Sequence, residues 1–436
     1  MTEGLAIRRA ASHDWRDPLE IACALKDRDG ALALLSDGGA HGRWSYVAAA
    51  PDAVRVGQVD DAAPFQALGD PAFRATTVGL ASYDAGARAA TGRDGGWPDL
   101  MLARYPAMLV FNHHARSVQA VGRGVDEMTA EAAVLRAEAW LAGGRAPPAA
   151  APPALAFEAE GSDETYRAAV ADVVARIAAG ELFQANIARA WSGRLKPGAD
   201  PFDVFLRLQQ GRASAYGAFW RLGDRAIVSN SPELFLSMES GGRIETRPIK
   251  GTRRRDPDPA EDARLAADLQ ASAKDRAENL MIVDLMRNDL ARAARTGSVA
   301  VERLFEIESH PTVHHLVSTV TALAGPGVGP AEVLEATFPP GSITGAPKHQ
   351  AMKVIARHEP PRGPWCGSLF LIGDEGTLTA SVLIRTASFE RDADGWRFRT
   401  LAGAGIVADS DPEAELAETE AKILAIRQAL IGDQSS

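Results

Sequence analysis

The stretch from Arg145 to Ala154 constrains this chain most. It contains Pro147, Pro148, Pro152 and Pro153, and each proline lacks an amide donor and restricts the residue before it. Neither a regular helix nor a central strand can run through it. Residues 144–157 therefore read as a linker between two runs of chain, 1–143 and 158–432. Before the linker, short apolar runs (Ala31 to Leu35, Arg43 to Ala48, Ala107 to Phe111) are broken by Gly, Asp and His, which predicts strands and turns. After it, Tyr166, Val170, Val173, Val174 and Ile177 recur at helical spacing, and the same period returns from Ala260 to Ala293 and from Glu413 to Leu430. Between these helices, Arg225 to Ser229, Glu233 to Met238, Thr377 to Thr386 and Trp396 to Leu401 have the β-branched or alternating character of strands. Helices and strands come in clusters, so the expected class is α+β with largely antiparallel sheets rather than a doubly wound fold.

Composition narrows the function classes. A chain of 436 residues, 46% hydrophobic and 24% charged, can bury a large core. No run approaches the roughly 20 apolar residues of a membrane span, and Met1-Thr2-Glu3-Gly4 lacks the pattern of a signal peptide, so a cytoplasmic location is expected. Cys23 and Cys366 are too few for a disulfide framework or a cysteine zinc site. A net charge of -10 argues against a general nucleic-acid or anionic-membrane surface, while leaving room for a local basic patch.

Two glycine motifs fail on inspection. Gly403-Ala404-Gly405-Ile406-Val407-Ala408 formally fits a dinucleotide fingerprint, but Ile406-Val407 continues as extended chain where that fingerprint needs a helix. Gly341-Ser342-Ile343-Thr344-Gly345-Ala346-Pro347-Lys348 has glycine spacing one short of a phosphate loop, with a proline before the lysine. Its glycines and hydroxyls still suit a nest of backbone N–H groups for an anion, a carboxylate included; a structural turn is the alternative.

Acidic and basic groups stand where they need partners. Glu278 is followed by the apolar Met281, Ile282 and Leu285, and a carboxylate on a mostly buried helix calls for a cation, magnesium being one candidate. Glu415 and Glu418 share one face of the last helix, whose start is marked by Ser410, Asp411 and Pro412; a solvated acidic face is the plainer reading. Arg247, Lys250, Arg253, Arg254 and Arg255 crowd one segment. Neighbouring cations would lower the Lys250 pKa and make it a nucleophile if it is held away from water, whereas an exposed basic loop would do neither. Glu233 precedes Leu234-Phe235-Leu236, where desolvation raises a carboxylate pKa toward proton-transfer values.

Together these segments resemble the chorismate-utilising family, which includes anthranilate synthase component I, aminodeoxychorismate synthase component I, isochorismate synthases and salicylate synthases. The resemblance rests on Ser231-Pro232-Glu233, Pro248-Ile249-Lys250-Gly251-Thr252, Asp275 to Leu290, His314-His315-Leu316-Val317-Ser318, Gly341 to Lys348, Ile384-Arg385-Thr386, and Gly403 to Pro412 with Glu415 and Glu418, all in the family's order. Residues 1–143 match more loosely, through Leu34-Leu35-Ser36, Arg43-Trp44-Ser45 and Gly79 to Asp84.

The resemblance implies a sandwich of antiparallel sheets with helices outside. It implies Mg2+ on Glu278 and Glu418 with Glu415 beside them, holding the ring carboxylate of chorismate. Arg385 and the backbone of Gly403, Ala404 and Gly405 would fix the enolpyruvyl carboxylate, and Gln184, Ser342, Thr344, Gly345 and Lys348 would line the substrate. The implied catalytic set is Lys250, Glu233, His315 and Thr252.

Lys250 stands where anthranilate synthases typically have Ala, and Gln184 where water-using relatives have a lysine. The resemblance therefore implies amination at C4, giving 4-amino-4-deoxychorismate on the route to p-aminobenzoate and folate. The rivals are anthranilate synthase component I and a non-catalytic chorismate-binding subunit. Nothing in the chain resembles a glutaminase or a lyase, so ammonia is expected from a separate glutamine amidotransferase subunit and the product is expected to pass to a separate aminodeoxychorismate lyase. The chain departs from the family at Phe370-Leu371, often Gly-Tyr there, so that Phe370 is expected to narrow the substrate pocket.

Overall fold

The computed structural model describes residues 7–39, 42–310 and 313–433. Two large sheets, twelve and ten strands wide, dominate it, and every strand pairing among the described residues is antiparallel. Both runs of chain contribute strands to both sheets. In the wider sheet, Leu32–Leu35 from the first run pairs with Tyr216–Leu222 from the second. In the other, Thr77–Ala81 pairs with Ser368–Ile372.

The sheets face each other across an apolar layer that includes Leu32, Val78, Leu80, Trp220, Ile227 and Leu369. Helices cover the outer faces. Ile21, Val134, Phe205 and Ile426 pack on one sheet, while Ile282, Met286 and Leu334 pack on the other. At roughly 1.5–3 kcal/mol for each large side chain removed from water, these layers account for the sandwich. Trp220 and Tyr105 are fully buried there, and Trp220 Nε1 donates to Tyr105 Oη at 2.7 Å, which in turn donates to Gly30 O at 2.7 Å.

The expected helix Asp163 to Ala179 forms as Asp163–Ala178, and the last helix as Pro412–Ile431. Ala260 to Ala293, expected as one helix, is two, Pro259–Ala271 and Ala273–Ala291. Ser272 breaks it: its extended backbone ends the first helix, and its hydroxyl caps the second by accepting from Asp275 N at 3.2 Å. Thr377 to Thr386, expected as one strand, is also two. Leu378–Val382 lies in one sheet and Thr386–Asp392 in the other, with the chain crossing at Arg385, where φ is +50°. Gly403 to Ile406 is strand, within Gly395–Ile406, as its sequence required. No helix among the described residues is long and apolar enough to cross a membrane.

Candidate active site

The two sheet crossings lie side by side and each delivers a functional side chain. Glu233 sits between Arg225–Ser231 of one sheet and Leu234–Met238 of the other, and Arg385 occupies the second crossing. Backbone and hydroxyl bonds lace the corners together: Val382 N donates to Glu233 O at 3.1 Å, Ser231 Oγ to Val382 O at 2.6 Å, and Asn230 N to Arg385 O at 3.0 Å. Glu233 is buried, and Ser342 Oγ donates to its Oε1 at 2.6 Å. Burial pushes the Glu233 pKa up, against the Ser342 bond and the charges of Lys250, Lys422 and Arg385. Burial likewise lowers the Arg385 pKa, opposed by Glu233.

Lys250 lies in the strand Ile249–Arg254, whose pairing with Val313–Leu323 shifts register between Ile249 and Thr252. This bulge needs Gly251, which has φ of +87° and whose missing Cβ would fall 2.9 Å from Asp275 Oδ1. Beyond the bulge the register is restored with Thr252 opposite His315. A Cβ on Gly405 would lie 3.0 Å from Gln184 Nε2 and 3.3 Å from Lys250 Nζ, so the amide and the lysine nitrogen meet at one bare patch of strand. Gln184 is fully buried, and neither polar atom of its side chain has a hydrogen-bond partner. An orphaned buried amide costs free energy that a bound ligand can recover.

Burial lowers the Lys250 pKa, with Lys422 reinforcing it and Glu278, Glu233 and Glu418 opposing. The sequence suggested crowding by the neighbouring arginines as the cause, and the structure corrects this. Arg247 pairs with Glu308, Arg253 with Asp268 and Asp275, Arg254 with Asp256 and Arg255 with Asp262. Each arginine is neutralised by an acid, and the second cation acting on Lys250 is Lys422. Lys422 escaped the sequence reading, although it lies one helical turn beyond Glu418. Its Nζ donates to Gly403 O at 2.9 Å and pairs with Glu418 at 2.5 Å.

The carboxylates come from two helices. Glu278 on Ala273–Ala291 has a pKa raised by burial and by Asp275 and Glu418, against Lys250 and Lys274. Glu415 is raised by burial and by Glu418, although Ser410 Oγ donates to its Oε1 at 2.7 Å. For Glu418 burial acts upward, but Lys422, Lys250 and Lys274 outweigh it and hold the pKa below the usual range. Glu418 thus acts on both Glu278 and Glu415, and Lys274 is a counter-charge to all three. Among the described residues, no three His, Cys, Asp or Glu side chains are already gathered as a metal-ligand set.

His315 is buried on Val313–Leu323, with Thr252 Oγ1 2.9 Å from its Nδ1. Burial, Arg385 and His310 lower its pKa to about 3, so the ring is neutral near pH 7. His314 points to the other face, between Ser309 and Asp262. In the loop that resembled a phosphate nest, only Ser342 reaches Glu233. Thr344 Oγ1 donates to Pro340 O at 2.8 Å, and Gly345 lies against the Gln184 strand with φ of +139°. Lys348 Nζ is engaged by Asp289 at 2.5 Å and Thr337 O at 2.8 Å, which ties the loop to the Glu278 helix. Gly403 and Gly405 share the strand face toward Trp365, Gln184 and Lys250, while the Ala404 methyl is buried with Tyr166 and Ile187. Ala404 therefore offers substrate only its backbone.

A separate cavity of about 260 Å³ lies between the sheets, lined by Leu34, Leu35, Tyr46, Glu245, Arg247 and Leu371 among others. Leu369 and Leu371 face this cavity, whereas the Phe370 ring packs on Phe65 under Gly79 in the layer covered by helices, and the cavity shares no lining residue with the Lys250 group.

The chorismate binding enzyme family profile matches residues 37–428. The chain belongs to that family. It is 39% identical over 374 residues to aminodeoxychorismate synthase component 1 of Salmonella typhimurium, covering 83% of this chain and 79% of that protein. It is 37% identical over 387 residues to anthranilate synthase component 1 of Streptomyces coelicolor, covering 83% and 74%. The fold matches anthranilate synthase component I of Streptococcus pneumoniae with TM-score 0.77 and 26% identity, covering 88% of this chain and 92% of that one. It also matches the menaquinone-specific isochorismate synthase MenF of Escherichia coli with TM-score 0.76 and 19% identity, covering 97% and 95%, a likeness of fold alone.

Proposed function

We propose that this chain aminates chorismate at C4, forming 4-amino-4-deoxychorismate, with ammonia supplied by a separate glutamine amidotransferase subunit and the product consumed by a separate lyase. The observation that carries this reading is Lys250: a desolvated lysine on a glycine bulge, beside the neutral amide of Gln184 and in the field of the buried Glu233. Burial favours the free amine of Lys250 and the protonated acid of Glu233, which are the forms a nucleophile and a general acid need.

In this scheme Lys250 Nζ bonds to C2 of chorismate, both conjugated ring double bonds shift (C1=C2 to C1=C6 and C5=C6 to C4=C5), and the C4 hydroxyl leaves as water with the Glu233 proton. Ammonia then bonds to C4, both double bonds shift back, and the C2–N bond breaks, returning Lys250 as the free amine. The new C4 ammonium gives its extra proton to Glu233. Atoms and charges balance as chorismate plus ammonia giving aminodeoxychorismate plus water. Gln184 cannot deprotonate water, which leaves ammonia the competent nucleophile.

Glu278 and Glu418, with Glu415 beside them, would hold Mg2+, and their all-oxygen donor set suits that hard cation. Bound there, the metal would neutralise the ring carboxylate of chorismate. Arg385 and the Gly403–Gly405 backbone would hold the enolpyruvyl carboxylate, with His315 as a neutral neighbour. No membrane or nucleic-acid partner is proposed, and we place the chain in the cytoplasm.

The test is incubation of the chain with chorismate, magnesium and ammonium, with and without an added aminodeoxychorismate lyase. p-Aminobenzoate formed only with the lyase supports the reading. Anthranilate formed directly overturns the regiochemistry, and no turnover makes the chain a chorismate-binding subunit.

A further inference from the structure

The Glu278 helix is fastened to the catalytic sheet by a buried polar relay. Asn279, the residue after Glu278, is fully buried; its Nδ2 donates to Leu316 O at 3.2 Å, and its Oδ1 accepts from Ser318 Oγ at 2.5 Å. Ser318 is also fully buried, and its backbone N donates at 3.3 Å to Pro248 O, two residues before Lys250. On its other side, Ser318 Oγ accepts from Phe305 N at 3.1 Å. Phe305 lies in the edge strand Ala300–Ser309 where pairing slips between Arg303 and Glu306, and it holds φ of +60°. A non-glycine residue in that conformation persists only where surroundings hold it. A second contact comes from the same helix: the Arg276 guanidinium lies 4.9 Å from the Phe305 ring centroid, three residues before Asn279.

One residue thus joins three elements: the Ser318 hydroxyl links the helix bearing Glu278 to a strained bulge, and the Ser318 backbone N holds the Lys250 segment. We infer that Asn279 and Ser318 are positioning residues that set the Glu278 carboxylate relative to Lys250 and so tune divalent-cation affinity. Neither touches substrate or metal. A side chain misplaced by a fraction of an ångström loses affinity at a site whose geometry is fixed by its supporting shell. This inference rests on the magnesium reading proposed above.

The test is calorimetric titration of Mg2+ into the chain with chorismate absent, on wild type, Ser318→Ala, Ser318→Thr, Asn279→Ala and Glu278→Gln, with thermal melts alongside. Expected are a five- to tenfold weaker Kd for Ser318→Ala and Asn279→Ala with melts still cooperative, recovery toward wild type in Ser318→Thr, and no measurable binding in Glu278→Gln. A double Asn279→Ala/Ser318→Ala variant should be no weaker than the worse single, because both remove the same link. Wild-type affinity in cooperatively melting Ser318→Ala and Asn279→Ala, alongside lost binding in Glu278→Gln, overturns the relay and leaves the metal reading standing. Unchanged binding in Glu278→Gln overturns the metal reading, and the relay with it.

Discussion

Ser342 Oγ donates to Glu233 Oε1 at 2.6 Å, joining the loop from Gly341 to Lys348 to the corner where the chain changes sheets. The bond favours the ionised carboxylate, against burial, which favours the neutral acid. Ser342→Ala should therefore raise the Glu233 pKa further. If Glu233 donates the proton to the leaving hydroxyl, the alkaline limb of the kcat profile moves to higher pH, while kcat on the plateau falls about tenfold through loss of alignment. A limb that stays in place removes Glu233 from the proton transfer.

Lys250→Ala should abolish the covalent adduct seen by intact-mass spectrometry after mixing with chorismate. Amination should fall by roughly a thousandfold or more, as when a nucleophile is removed from a covalent mechanism. Chorismate binding measured by calorimetry should survive, because Arg385 and the carboxylate sites are untouched. An adduct persisting in Lys250→Ala would place the nucleophile elsewhere.

Gln184 has a stability signature separate from its activity. Both polar atoms of its buried side chain lack partners, so Gln184→Met, which keeps the shape and drops the amide, should leave the protein as stable or more stable by about 1 kcal/mol. The melt should rise or hold while amination falls. A loss of several degrees in Tm would mean that the amide is satisfied in the resting protein.

What the sequence discloses and what it hides follow from range. Helix period and capping are local, so the ends of Asp163–Ala178 and Pro412–Ile431 could be read within a residue or two. The Ser272 break was local as well: Ser followed three residues later by Asp275 is an N-cap pattern, hidden inside an unbroken apolar period. The Lys250 bulge was not readable, because it exists only in register with Val313–Leu323, some sixty residues away. The acids that neutralise Arg253 and Arg255 sit on neighbouring helices, so charge crowding along the sequence misidentified the force on Lys250. Glu233 and Arg385 were visible as motif residues, but their shared corner depends on two sheet crossings.

His315 gives a pH prediction whose sign follows from burial. Its folded pKa of about 3 lies below the unfolded value near 6.5, so the unfolded chain binds the extra proton between those values. The neutral ring contributes stability that is fully present above pH 6.5 and is lost as pH falls toward 3. His315→Gln should flatten this part of the dependence of unfolding free energy on pH. An unchanged slope between pH 6 and 4 would mean that His315 is already charged in the folded protein.

Lys348 and Asp289 form a buried ion pair, 15% and 5% exposed at their side chains, and the lysine also donates to Thr337 O. Burial lowers the Lys348 pKa and raises that of Asp289, and each partner opposes the shift of the other. Removing one member strands the other charge, so Lys348→Met or Asp289→Leu should each cost about 3–5 kcal/mol in denaturant unfolding. Removing both should cost far less than the sum, because no uncompensated charge remains. The pair also fixes the loop that carries Ser342 against the Glu278 helix. The single variants should therefore lose activity even at temperatures where they are fully folded, and the double variant should recover stability without recovering rate. Additive stability losses in the double-mutant cycle would show that the two groups do not act as a pair.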